Sequence, residues 1–578
     1  MKILAVTSGY HDAAAAALDD YDLKAAVQLE RLTRRKGDGN RIPYEAIDEV
    51  LSLAGWAREE VDVLCLARLR FPYFLISSIS PLRRVKYVLR SRPGRPRQRT
   101  LESEAIRQGE IDTLKIFDAK AALGHLGLRP DTRVFFYNHH DAHALSALFH
   151  HPVDNVLAYT GDGRGDNLYY SFHHLQDGTL RTLYGGDKEL LAPTPIDSLG
   201  QAYAFMTGAL DFRPNRHEGK LTGLAGYGKP VALDAIKRHF RVAPDGRIHS
   251  DFDSYAAMRA AIVEVAKTNS REDAAATIQQ VLEDLVSQSV RTLLARTGAR
   301  HLALAGGIFA NVRLNRLLCE GTGVDSIFIF PGMGDEGIPV GGAYQFLLQR
   351  DGIAHWLSRR RRIDTMYLGR DYGASVDAVH RAAPGIQVIE GDPADVAARL
   401  CAAGYCGAIF TQRMEFGPRA LGARSIIASP TDARINDSLN ERLQRSEFMP
   451  FAPVVLEEDA RRVFGIDDRN AYACRFMTIT TDVKEEWRTR IPAVVHVDGT
   501  ARPQIVTEAD NPLYARTLRR FRDVTGLPAM VNTSFNAHEE PIIDTPEQCL
   551  RALQDDRVDF VVTDGGVYTF KPIVPVAG

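Results

Sequence analysis

Asn138-His-His-Asp-Ala-His143 carries three imidazoles, and an aspartate follows in Thr160-Gly-Asp162-Gly-Arg-Gly165. Side chains four apart lie on one face of a helix, so His139 and His143 can address a single point. Imidazole is the commonest transition-metal ligand in proteins, and a nearby carboxylate completes a site suited to iron, zinc or manganese. The apolar run 133–137 reads as a buried strand and 142–150 as the helix after it. Asp162 falls just past a second apolar strand, 155–159, where a loop would carry it to the histidines. Glycines on both sides of it let a backbone approach a ligand closely.

The elements that must position these residues are legible as periodic runs. The N-terminus reads strand 2–7, a turn holding His11 and Asp12, strand 13–18, an acidic turn, and strand 23–29. A similar unit recurs at 156–184, with Gly161-Asp-Gly-Arg-Gly165 as its first turn. A repeated hairpin unit followed by helical sequence suggests two related α/β halves, as in the actin, sugar-kinase and heat-shock ATPase architecture. Later glycine turns fit the second half: Gly306-Gly307 after strand 301–305, with Asn311 and Asn315 on the next helix, and Gly332-Met-Gly-Asp335-Glu-Gly337 after strand 326–330. With Glu218-Gly-Lys220-Leu-Thr-Gly223 they supply the backbone N–H groups and helix N-termini that favour phosphate. A second α/β domain begins beyond an arginine-rich connector, with a helix at 393–403 and a strand at 406–410. It carries Gly417-Pro-Arg419-Ala-Leu-Gly422-Ala-Arg424, Thr500-Ala-Arg502-Pro-Gln504 and Asn532-Thr-Ser534-Phe-Asn536. Arginines set among glycine, serine and asparagine suit phosphate, carboxylate or carbamoyl oxygens.

At 578 residues the chain has length for two or more domains. Its 45% apolar and 25% charged residues are those of an ordinary globular protein. A net charge of -2 argues against a dedicated nucleic-acid binder. No apolar run reaches the roughly 18 residues of a membrane span, and Met1-Lys-Ile-Leu-Ala-Val enters strand sequence directly, so no signal peptide is expected. Six scattered cysteines without a CxxC pair read as reduced residues of a cytoplasmic protein. Pattern and composition stop at a metal-containing, phosphate-binding α/β enzyme.

In order, His11-Asp12, the His139–His143 pair, Asp162-Gly163, Glu218-Gly-Lys220, Gly306-Gly307, Asp335, the Arg419 motif and the Asn532 motif resemble the O-carbamoyltransferases of the nodulation-factor and antibiotic type (tobramycin carbamoyltransferase-like). The resemblance covers nearly the whole chain. It implies a duplicated actin-like domain over 1–355, similar to the tRNA threonylcarbamoyl-transfer protein, and a domain similar to the YrdC-type carbamoyl-adenylate synthases over 356–578. It implies that the second domain turns carbamoyl phosphate and ATP, the latter with Mg, into carbamoyl-adenylate and pyrophosphate. A hydroxyl of a small molecule or sugar then takes the carbamoyl group in the first domain. By the same resemblance His139, His143, Asp162 and Asp335 would hold one divalent transition metal, iron above others, and His11 would serve as general base. Gly163, Lys220, Gly306, Gly307 and Asn311 would bind the nucleotide or adenylate. Arg419, Arg424, Arg445, Arg502, Asn532 and Ser534 would bind carbamoyl phosphate and ATP. No nucleic-acid partner is implied, and a homodimer is a possible assembly.

The chain departs from the family twice. Many relatives place a lysine and two arginines before Pro-Phe-Ala-Pro, whereas this segment reads Asn440-Glu-Arg442-Leu-Gln-Arg445-Ser-Glu-Phe-Met449, with no counterpart of the lysine. Ser8-Gly9-Tyr10 replaces a longer polar loop, which points away from the same aminoglycoside acceptor. A basic insertion at about 68–101, with ten Arg or Lys and no acid between 64 and 101, is expected to be a solvated cover of the active-site mouth. His150-His151 and His173-His174 read as surface or strand-end histidines. An actin-fold metabolite or sugar kinase, or a non-catalytic nucleotide-binding assembly partner, remain the alternatives.

Overall fold

The computed structural model describes residues 1–67, 119–189, 196–444 and 450–576; the basic insertion and Arg445 lie outside the described residues. Two compact units emerge. The first comprises 1–200, 293–308 and 332–362, and the second 201–292, 309–331 and 363–578.

The first unit repeats one strand arrangement. β1 (Lys2–Thr7), β2 (Ala14–Asp19) and β3 (Asp22–Gln28) form an antiparallel meander, and β4 (Val63–Ala67) and β5 (Arg133–Tyr137) add in parallel beyond β1. In the second sheet β6 (Val156–Gly165), β7 (Leu168–Gln176) and β8 (Thr179–Tyr184) are again an antiparallel meander, with β9 (His301–Ala305) parallel beyond β6. The repeated hairpin unit is thus a real duplication, of the actin-like kind expected. β2 is nearly all alanine, a poor strand former. It is fully buried from Ala14 to Leu18 and packed by two helices, α1 (Tyr44–Ala54) and α3 (Ile338–Ser358), so small side chains are what fits. α2 (His139–His150) lies against α3.

Within the second unit an eight-stranded mixed sheet dominates. Its strands are β10 (Gln387–Ile389), β11 (Gly407–Phe410), β12 (Arg424–Ala428), β13 (Ala452–Leu456), β14 (Gln504–Val506), β15 (Ala529–Ser534), β16 (Phe560–Thr563) and β17 (Gly566–Thr569). Their order is β10-β17-β16-β11-β12-β15-β13-β14. Two helices packed on each other, α4 (Pro393–Ala402) and α5 (Pro512–Thr525), start in the same manner. Asp392 and Asn511 accept the N3 amide and a proline fills the first helical position. Gly526, left-handed at φ 71°, ends α5. Among the described residues no helix is long and apolar enough to cross a membrane. The six cysteines are buried and free.

Candidate metal centre and C-terminal arginine site

α2 begins three residues earlier than its apolar pattern suggests. Asn138 caps it by accepting the N–H groups of His140 and Asp141, and its own N–H donates to Gln345 Oε1 at 2.8 Å. The helix therefore contains both His139 and His143, in the i, i+4 relation the spacing required. Asp162 is not on a loop but inside β6, where the register with β7 shifts between Gly161 and Gly165. Such a bulge turns a side chain away from its ladder position. Gly165 is required there: a Cβ on it would lie 2.0 Å from His139 Cδ2.

His139, His143, Asp162 and Asp335 each offer one ligand atom, all within 4.8 Å of one another. His139 Nε2 stands 2.8 Å from Asp162 Oδ2 and 3.6 Å from Asp335 Oδ1; His143 Nε2 stands 3.7 and 3.9 Å from the same oxygens. Bonds of about 2.1 Å in a tetrahedron separate ligand atoms by about 3.4 Å, so one cation fits this set with small adjustments. His143 supports the fit, because both of its ring nitrogens are buried without a hydrogen-bond partner. A buried polar group left this way costs about 1–3 kcal/mol, which a coordinate bond would offset.

Burial works against charge on His139, but Asp335 and Asp162 outweigh it and raise this imidazole to about 9. Burial also opposes charge on Asp162, yet the two histidines hold it well below the usual carboxylate range. Asp335 moves up, from burial and from Asp162, against the opposing charges of His139, His11 and His143. His11 is therefore close enough to act electrostatically on the cluster. Its Nδ1 lies 2.7 Å from Asp12 Oδ2, and a Cβ on Gly9 would sit 3.2 Å from Asp335 Oδ2. Gly163 donates its N–H to Asp162 Oδ1, and a Cβ on Gly307 would lie 3.2 Å from that oxygen. Gly306, at φ 99°, donates to Met333 O, and only glycine fits against Gly161 O.

Other expected residues lie elsewhere. Lys220 and Asn311 belong to the second unit. Asn311 caps the helix Val312–Gly321 and joins a buried network with Gln279 and Thr222. His140 turns to Thr160 Oγ1, and burial keeps it neutral. His150, His151, His173 and His174, expected at the surface or at strand ends, are all buried, with His173 and His174 near the end of β7. His150 meets Arg361 O and Tyr344 Oη, and His173 lies between Ser171 and Thr182. Two residues near the cluster were missed. Asp166 accepts the His139 N–H at 2.7 Å. Glu336, pushed up to about 8 by burial and by Asp12, stands beside Asp335; the acidic doublet was its only signal.

In the second unit Glu415 Oε1 accepts the N–H groups of Leu421, Ala423 and Arg424, which fixes the loop carrying the half-buried Arg419. Asn532 Nδ2 reaches Ala420 O of that loop and Gln504 Oε1, two residues past Arg502. Ser534 pairs with Ser425 across β12 and β15. Arg424 is fully buried, stacked 3.6 Å over Phe410, and donates to the carbonyls of Thr411, Gln412 and Ala423. A cavity of about 330 Å³ opens beside Phe410 and Thr411, lined by Asp371, Asp377 and Asp564 and by no cation. It is therefore not built for phosphate.

Two folded units, one with a converging His₂Asp₂ set that could hold a cation and one with an arginine-bearing loop on a mixed sheet, make a mixed α/β protein. Residues 2–344 match the family model of the carbamoyltransferase N-terminus, and 398–569 that of the carbamoyltransferase C-terminus. The nodulation protein NolNO of Sinorhizobium fredii is 32% identical over 97% of this chain and 79% of its own. An uncharacterised Synechocystis protein is 31% identical over 98% of this chain and 96% of its own. Among solved structures, HypF of T. kodakarensis aligns at 14% identity and a TM-score of 0.35, covering 61% of this chain and 48% of that one. The chain belongs to the carbamoyltransferase family, as an O-carbamoyltransferase.

Proposed function

We propose that the chain carbamoylates a hydroxyl of a small molecule or sugar in two stages, the C-terminal domain (356–578) activating the carbamoyl group and the N-terminal domain (1–355) transferring it. The convergence of His139, His143, Asp162 and Asp335 within the family's N-terminal region carries this reading. In the first stage water splits carbamoyl phosphate to carbamate and phosphate. A carbamate oxygen then attacks the α-phosphorus of Mg-bound ATP, giving carbamoyl-adenylate as pyrophosphate leaves. Arg419 and Arg502 hold the anionic oxygens with forked N–H donors, helped by Ser534 and by Arg445, which lies outside the described residues. Arg424 acts through the loop carbonyls it binds. In the second stage the hydroxyl oxygen attacks the carbamoyl carbon and AMP leaves. A divalent cation on the four-residue set, iron being suited to N/O ligation, would supply Lewis-acid stabilisation of phosphate charge. Gly163, Gly306 and Gly307 bring backbone close to that set. His11 takes the hydroxyl proton, with Asp12 orienting its ring.

The scheme is tested by exchange of labelled pyrophosphate into ATP. Exchange should occur only when carbamoyl phosphate is present. Exchange without it, or none in its presence, overturns the first stage; a kinase or a binding module would give none.

His11→Asn should lower acceptor carbamoylation by about 10²–10⁴-fold with exchange unchanged, the usual range for a general base. Near-normal transfer with only a raised acceptor KM would make His11 a binding contact instead.

A further inference from the structure

The first amides of a helix have no carbonyl in the preceding turn to bond and must find partners elsewhere. At the start of α2, Asn138 takes the N–H groups of His140 and Asp141, and the N–H of His139 goes to Asp166 Oδ2 at 2.7 Å. Asp166 belongs to the other ligand-bearing element. It follows β6 at the turn into β7, where Gly165 pairs with Leu168 and only Asp166 and Asn167 lie between. Both have positive φ, 42° and 67°, as the two-residue turn of a twisted hairpin requires, and aspartate and asparagine enter that region at small cost. Asp166 is 6% exposed, so a carboxylate has been taken out of water to meet a backbone amide. The bond is charge-assisted, and the positive end of the helix dipole favours it. Four residues earlier on the same chain segment stands Asp162. Asp166 thus ties the start of the helix that holds His139 and His143 to the strand that holds Asp162, and Gly165 admits the His139 ring between them.

We propose that Asp166 is a positioning residue of the metal centre: by bonding the His139 amide it sets the spacing of His139 from Asp162, and with it the coordination geometry of a cation that it does not touch. This rests on the reading of His139, His143, Asp162 and Asp335 as a metal set. The turn itself needs neither a carboxylate nor burial, because glycine or asparagine would serve its backbone equally. What the aspartate adds is the bond across to the helix. His139 Nε2 and His143 Nε2 stand 2.8 and 3.7 Å from Asp162 Oδ2, and a binding constellation works only when held to within about 0.5 Å. Partners one step behind the ligands orient them and tune the metal.

The test uses full-length protein stripped of metal and reloaded with Co²⁺, whose visible absorption reports coordination number and geometry. Asp166→Gly removes the carboxylate and leaves the turn unstrained, since glycine takes positive φ freely. It should alter the Co²⁺ spectrum and weaken Co²⁺ binding about 10–100-fold, the usual effect of losing a partner behind a metal ligand. Asp166→Asn keeps an acceptor oxygen at the same reach. Its spectrum should stay that of wild type and its affinity within about threefold, the bond being weakened to a neutral one. Asn167→Gly alters the same turn at a side chain that reaches Glu189 O rather than His139, and should match wild type in both. A wild-type spectrum in Asp166→Gly overturns the proposal. So does an Asn167→Gly or Asp166→Asn variant as altered as Asp166→Gly. If the wild-type protein takes up no Co²⁺, the reading of the four residues as a metal set falls, and the proposal with it. Should Asp166→Gly not fold, Asp166→Glu decides beside Asp166→Asn: its longer arm keeps the charge but displaces the helix start, so an unchanged spectrum overturns the proposal.

Discussion

His143→Ala should cut carbamoyl transfer by about 10³-fold while leaving carbamoyl-phosphate-dependent pyrophosphate exchange within about twofold of wild type. The magnitude corresponds to the loss of several kcal/mol of charge stabilisation by a bound cation, at about 1.4 kcal/mol per factor of ten. His143 is the most deeply buried of the four, with 1% of its side chain exposed, and its ring nitrogens have no other partner. Removing it deletes a ligand without breaking a hydrogen bond, so the fold should survive and the thermal transition should move little. Elemental analysis of the purified protein should find roughly one transition metal per chain in wild type and much less in the variant. If exchange and transfer vanish together in a protein that still unfolds cooperatively, the assignment of activation and transfer to separate domains is wrong.

The fold could be read where periodicity was strong and both faces of an element had one fate. The two meanders stood out because their strands are short, apolar and punctuated by glycine and aspartate. The limits of such reading lie in side-chain contacts that no local pattern encodes. α2 starts at His139 because Asn138 caps it, whereas its apolar stripe becomes visible only at Ala142. Asp162 was expected on a loop because Gly161 and Gly163 look like turn residues. In the structure they make room for a bulge within a paired strand. Asp335 joins the cluster from about 170 residues away, and only resemblance to a family could pair it with His139. His150, His173 and His174 are buried where neighbouring Tyr344, Ser171, Thr182 and Asn155 hydrogen-bond their ring nitrogens. Sequence alone shows none of those partners. Gln504 appeared only as part of a motif, since its amide gains meaning from Leu421 and Asn532 across the sheet.

Arg419→Ala and Arg502→Ala should each abolish adenylate formation, reducing pyrophosphate exchange by at least about 10²-fold. Charge-assisted, forked hydrogen bonds are roughly twice as strong as neutral ones, and water does not replace them at similar strength. Removal of an electrostatic contact made to developing charge typically costs about 10²–10³ in rate. The two residues are not equivalent to Arg424, which is wholly buried and donates to backbone carbonyls. Arg424→Ala should therefore unfold or loosen the 411–424 loop, with a fall in melting temperature that Arg419→Ala and Arg502→Ala do not share. Supplying carbamoyl-adenylate directly separates the stages: it should restore transfer in the Arg419 and Arg502 variants but not in His143→Ala. Wild-type exchange in either arginine variant at limiting carbamoyl phosphate would remove that arginine from the activating site. Failure of the adenylate to rescue them would place these arginines in transfer rather than activation.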